Sequence, residues 1–96
     1  MTDTTGSPVA HDPAGGRFRV DEDGHSGYLD YTIADGVLDI RHTVVPPEIG
    51  GRGIAGRLVE AALGFARAEG HRVRPSCGYA DAWMKRHPEY DDLRAS

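Results

Sequence analysis

Residues 50–56, Gly50-Gly51-Arg52-Gly53-Ile54-Ala55-Gly56, hold four glycines and are followed by Arg57. Glycine lets a backbone come close to a ligand and take φ angles that a Cβ forbids. The next residues read as the first turn of a helix, whose unpaired N–H groups and positive dipole end favour an anion. Loop and helix start together suit a phosphate. The bland alternative is a tight turn that binds nothing, and the two arginines among the glycines argue against it. Arg52 and Arg57 can bring charge to phosphate oxygens, although either alone is an ordinary surface cation. A second candidate is Cys77, in Pro75-Ser76-Cys77-Gly78-Tyr79. It lies between a strand and a helix, and a nearby helix N-terminus lowers a thiol pKa; the commonest fate of a free cysteine is that of a small buried hydrophobe. His42, on the strand that leads to the loop, is a candidate general base with a reference pKa near ~6.5. Its plainer reading is a core histidine held by a hydrogen bond. Glu48 can take a proton through water or be a surface carboxylate. The five histidines and the cysteine have no metal-ligand spacing.

Three phosphate-binding patterns can be laid on the loop. In the P-loop, G-x-x-x-x-G-K-[ST], the glycines fit Gly51 and Gly56, but Arg57 and Leu58 take the Lys and Ser/Thr positions, so no hydroxyl remains for Mg²⁺. The dinucleotide fingerprint G-x-G-x-x-G matches residues 51–56. It should follow a strand directly, and Pro46, Pro47 and Glu48 intervene; the acid expected ~20 residues on is missing from His71-Arg72-Val73-Arg74-Pro75. The third pattern is the pyrophosphate loop of GNAT-type N-acetyltransferases, [RQ]-x-x-G-x-[GA]. Residues 50–55 fit it at Gly53 and Ala55 and depart at Gly50. With the Cys77 segment and Arg86-His87-Pro88-Glu89-Tyr90, residues 18–93 resemble the compact YjdJ-type branch of the GNAT superfamily.

That resemblance implies acetyl-CoA as cofactor and an amine of a small molecule, peptide or protein as acceptor. Gly50, Gly51, Arg52, Gly53, Ile54, Ala55, Gly56 and Arg57 would bind its pyrophosphate, and Val44 and Val45 would lend backbone groups to the pantetheine arm. Cys77 would lie where the acetyl group sits, either taking it covalently or lining the thioester pocket. His42 would serve as base, and Tyr79 would reach the leaving thiolate or only pack. Two rivals stand beside this enzyme: a coenzyme A-binding module without turnover, and a small nucleotide-binding domain.

The elements that must position these groups read as one small α+β domain over residues 17–96, after a disordered tail at residues 1–16 that is rich in Thr, Asp, Gly, Pro and Ala. Phe18 and Val20 alternate with charged residues in a first strand. Residues 28–33 form a second strand and residues 37–45 a third, joined by Asp35-Gly36 in an antiparallel meander. Simple alternation puts Leu38, Ile40, His42 and Val44 on one side of the third strand. Residues 53–69 carry an apolar helical stripe, Ile54, Leu58, Ala61, Ala62, Phe65 and Ala66, stopped by Gly70. A short strand around Val73 follows the crossover and should pair in parallel with the third. Residues 79–87 make a second helix that Pro88 ends; Trp83 and Met84 read as core or pocket wall, His87 as structural, and residues 91–96 as a fraying end. The charge of −4 argues against nucleic acid or an anionic membrane as partner. The single cysteine excludes an internal disulfide, no apolar run is long enough to span a bilayer, and the N-terminus has no signal-like h-region. The expectation is a cytoplasmic protein, a monomer or weak homodimer.

Overall fold

The computed structural model describes residues 7–95. Its α+β plan is a five-stranded mixed sheet in the order β1-β2-β3-β4-β5, with a long helix and a short one. The strands are β1 (Ala10–Asp12), β2 (Arg17–Glu22), β3 (His25–Ala34), β4 (Val37–Val44) and β5 (Arg72–Pro75); the helices are α1 (Ile54–Glu69) and α2 (Gly78–Lys85). The meander is antiparallel, and β4 and β5 pair in parallel from Val37↔Arg72 to Ile40↔Pro75. The β2–β3 and β3–β4 hairpins each turn on an Asp-Gly pair with positive φ, 51° and 77° at Asp23-Gly24 and 54° and 76° at Asp35-Gly36. Such two-residue turns match the twist of the strands they join.

Alternation decides which sheet face is dry. Phe18, Val20, Leu29, Tyr31, Leu38 and Ile40 are buried on the helix side, where the α1 stripe of Ile54, Leu58, Ala62 and Ala66 meets them. Ala80, Trp83 and Met84 of α2 join the same core. Helix α1 ends as expected on Gly70 at φ 76°, with the His71 amide bonded to the Ala66 carbonyl at 2.8 Å.

Three expectations are corrected. The segment read as a disordered tail contains β1, which pairs with β2 from Ala10↔Arg19 to Asp12↔Arg17; residues 1–6 lie outside the described residues. The anchor is His11, which stacks on Phe18 with centroids 3.9 Å apart and bonds the Tyr31 hydroxyl through Nε2 at 2.6 Å. A polar residue whose burial depends on partners far along the chain has no local signature. Residues 91–95 do not fray either, and Ser96 lies outside the described residues. A 3-10 turn at Pro88–Leu93 buries Leu93, Arg94 bridges Val73, and the Ala95 amide bonds the Val73 carbonyl at 2.7 Å, so the free edge of β5 is covered.

The third correction concerns β4. Asp30 pairs with His42 and Tyr31 with Ile40, so Arg41 is an extra residue, a β-bulge. Beyond it the alternation reverses. Leu38 and Ile40 are buried as expected, whereas His42 and Val44 turn to the outer face and are exposed. Thr43, opposite the buried Leu29, takes the helix side instead.

Candidate active site

The bulge also redirects the β4 backbone. Before it, Gly36 and Ile40 present their carbonyls toward β5, accepting from Arg72 and Cys77 at 2.9 Å each. In a strand the side-chain face and the hydrogen-bonding direction alternate together, so after the bulge Thr43 and Val45 turn their polar groups that way and Val44 spends its own on Tyr28 of β3. β5 ends at Pro75. Residues 43–45 therefore border a gap past the end of the β4–β5 pairing, where the Thr43 amide meets the Cys77 sulfur and, among the described residues, no backbone group outside the strands pairs with Val45.

A 3-10 turn (Pro47–Ile49) leads from β4 into the glycine loop, and buried Ile49 holds it to the core. Gly51 and Gly53 have φ of 76° and 77°, and Gly53 is the N-cap of α1 without any side-chain cap. Only glycine takes such angles without strain. Among the described residues no backbone carbonyl accepts from the amides of residues 51–56, and the first return bond runs from the Arg57 amide to Gly53 at 3.1 Å. These amides are donors at the positive end of a sixteen-residue helix.

Both arginines expected to bring charge to a phosphate have partners within the chain. The Arg52 guanidinium donates through Nη1 to Asp23 at 2.7 Å and to Glu22 at 3.1 Å, on the β2–β3 turn. Arg57 donates to the Ser7 carbonyl through Nη2, while its buried Nη1 lies 3.9 Å from Glu22. Carboxylates thus offset the charge of both arginines, which leaves the main-chain amides as the donors most ready for an anion.

Helix α2 brings the thiol to the same place. Cys77 is its N-cap, half-buried, and its sulfur lies 3.5 Å from Thr43 Oγ1. Burial pushes the thiol pKa up; the Thr43 hydroxyl, then the amides of Ala80, Tyr79 and Thr43, pull it down further, and the balance leaves it below its ordinary value. The sulfur makes no cap bond of ordinary geometry to the first turn of α2, so Thr43 is its defined side-chain partner. Where a Cβ on Gly56 would stand, Trp83 Nε1 is 3.1 Å away and the Tyr79 hydroxyl 3.6 Å. This close approach of α1 to α2 joins the glycine loop to the Cys77 helix. Stacking of Trp83 on His87, with centroids 3.6 Å apart, and the 2.8 Å bond between His87 Nδ1 and the Trp83 carbonyl give His87 its structural place.

Glycine loop, β4 end, Cys77 and Tyr79 are thus brought together. His42 is not brought to Cys77: it lies on the other face of the sheet, beside an open groove of about 580 Å³ that Arg17, Asp30 and Arg41 also line. Glu48 is exposed and stands 4.0 Å from His25. Thr43 escaped the sequence reading because only a register shift brings its hydroxyl to the sulfur. Among the described residues no group of three His, Cys, Asp or Glu is placed to hold a metal, and no helix is long and apolar enough to cross a membrane.

A family sequence profile described as GCN5-related N-acetyl-transferase matches residues 17–93, well over half of the chain. The chain belongs to this family. Its curated relatives include Protein NATD1 of Bos taurus, 40% identical over 52 residues, and Protein NATD1 of Homo sapiens, 38% identical over 52 residues. In both, the match takes in 54% of this chain and 46% of the relative, so the chain spans about half their length. The solution structure of a GCN5-like protein from Staphylococcus aureus superposes with a TM-score of 0.75, covering 97% of this chain and 92% of that one. At 22% identity that likeness establishes the GNAT fold alone.

Proposed function

We propose that this chain transfers an acetyl group from acetyl-CoA to an amine of a small molecule, peptide or protein. The observation that carries the proposal is the row of amides at residues 51–56, unpartnered among the described residues and reached along the chain from a β4 end that lies at a thiol. Amides at a helix start suit a diphosphate, and the Thr43 carbonyl with the backbone groups of Val45 suits the amides of an extended pantetheine arm, as an added strand would. The bound cofactor would supply an activated thioester; the chain's part is to hold it extended, keep its carbonyl beside Cys77 and leave the far side open to an amine. Family membership supports the reaction class, and we assign the chain to the compact YjdJ-type branch, acting in the cytoplasm as a monomer or weak homodimer without nucleic acid or membrane.

Cys77 has two possible parts. In one its thiolate attacks the thioester carbonyl, coenzyme A departs as a thiolate that takes up a proton, and the acetyl group passes to the amine in a second exchange. In the other it only lines the pocket. Intact mass after exposure to acetyl-CoA separates them: an acetyl increment on the wild type that Cys77→Ala abolishes supports the first, and one that survives the substitution removes it. His42, on the outer face, would receive the amine's proton from the acceptor side.

A thermal-shift comparison of acetyl-CoA, NAD, NADP and ATP tests the cofactor. Stabilisation by acetyl-CoA alone is the expected result; stabilisation by NAD or NADP with none by acetyl-CoA would replace the proposal by a nucleotide-binding domain. The coenzyme A-binding module without turnover is favoured by two specifics, Gly50 at the usual Arg/Gln position and the separation of His42 from Cys77. Binding without release of free thiol across an amine panel would establish that reading.

A further inference from the structure

We infer that Thr43 is a positioning residue for Cys77, its hydroxyl holding the sulfur in place and stabilising the thiolate at the end of the β4–β5 gap. This deepens the acyl-transfer reading and rests on it for its purpose, but not for its test.

The bulge at Arg41 is the cause. Without the extra residue, alternation would turn Thr43 outward and His42 toward the helices. With it, Thr43 faces the helix side opposite Leu29, and its Oγ1 stands 3.5 Å from Cys77 Sγ. The Cys77 amide bonds the Ile40 carbonyl at 2.9 Å and its carbonyl accepts from the Asp81 amide at 3.0 Å, so the backbone that carries the sulfur is pinned at both ends. A hydroxyl serves both states of such a sulfur: it accepts from the S–H, and it donates to S⁻ once the proton has left. A methyl group can do neither.

Charged neighbours do not duplicate this role. On β4, Arg41 is exposed and paired with Asp39 at 3.2 Å, and His42 lies on the outer face. On β5, Arg72 donates to the Arg94 carbonyl at 3.1 Å and Arg74 is exposed. On α2, Asp81 is bound by Arg94 at 2.9 Å and by Lys85 at 3.1 Å. On α1, Arg57 is turned to Ser7 and Glu22, and Glu60 is exposed. Exchanging Thr43 for valine alters none of these pairs and keeps the branched shape.

The test is the pH dependence of Cys77 alkylation by iodoacetamide, in the full chain and without cofactor, for wild type, Thr43→Val and Thr43→Ser. Thr43→Val should shift the alkylation midpoint upward and slow the reaction at neutral pH by roughly three- to tenfold, the range of one ordinary hydrogen bond. Thr43→Ser, which keeps the hydroxyl, should stay within about twofold of wild type. Circular dichroism checks that each variant is folded; if Thr43→Val does not fold, the Thr43→Ser profile and a Thr43→Ala variant decide. An unchanged midpoint in the hydroxyl-free variant, or an equal shift in Thr43→Ser, would overturn the inference. A shifted midpoint in a protein that acetyl-CoA fails to stabilise would uphold the Thr43 assignment and sink the acetyltransferase reading.

Discussion

At the scale of the residue, Gly53 shows how one backbone angle governs a site. At φ 77° it caps α1 and aims the loop amides outward, and no neighbour lies within 4 Å of where its Cβ would stand. Any effect of Gly53→Ala is therefore conformational. It should cost about 1–2 kcal/mol, the price of a left-handed alanine, and weaken acetyl-CoA binding more than it lowers the melting temperature; calorimetric titration beside a melting curve checks both. Arg52 makes the contrasting case. Its pKa is raised first by the bond to Asp23 and then by that to Glu22, so it is already engaged before any ligand arrives. If the backbone amides hold the diphosphate, Arg52→Ala should leave acetyl-CoA affinity within about threefold of wild type at moderate salt, as expected for an exposed and screened charge. A loss of two orders of magnitude in the same titration would return the arginine to the centre of the site.

Elements carry the next level of explanation. β1 has three residues and an exposed backbone, so its attachment to β2 depends on His11 against Phe18, Tyr31 and Phe65. Burial lowers the His11 pKa, against a smaller upward pull from Asp12. The folded state therefore prefers the neutral ring, and the unfolded chain binds the proton more readily. The stability this contributes is fully present above ~6.5, the unfolded value, and is lost as pH falls below it through the lowered folded value. Between about pH 7.5 and about pH 5 the wild type should lose more of its melting temperature than His11→Gln, and amide exchange at residues 10–12 should quicken first. Equal losses in the two proteins would remove His11 as the anchor. β4 is governed by its bulge. Its residues read as an unbroken alternating strand, and that reading placed His42 with Leu38 and Ile40. One unpaired residue in the ladder was enough to exchange His42 for Thr43 on the helix side.

For the whole molecule, ends that are remote in sequence secure the site. Arg67 of α1 binds Asp92 at 2.9 and 3.1 Å, Arg94 binds Asp81 of α2, and Leu93 is buried in the core below them. The C-terminal turn thus braces α2, and α2 carries Cys77. Leu93→Ala should cost about 2–4 kcal/mol in chemical denaturation, the range for truncating a buried leucine. It should also disturb Cys77 alkylation, because the thiol sits at the start of α2. A loss below about 0.5 kcal/mol would mean that this end is an ornament of the fold.

The sequence by itself determined β2 to β5, both α-helices and the glycine loop between β4 and α1. Asp-Gly turns, a helical stripe ending on Gly70 and glycines ahead of Ile54 are local features, and local features are written in consecutive residues. It also determined which residues carry reactive groups. What only the tertiary structure decided is which of those groups meet. The bulge in β4, the anchoring of β1 and the capture of Arg52 by Glu22 and Asp23 each depend on partners in other elements of the fold. Pairing energies of that kind are settled by the packing of the whole sheet, so no window of neighbouring residues contains them.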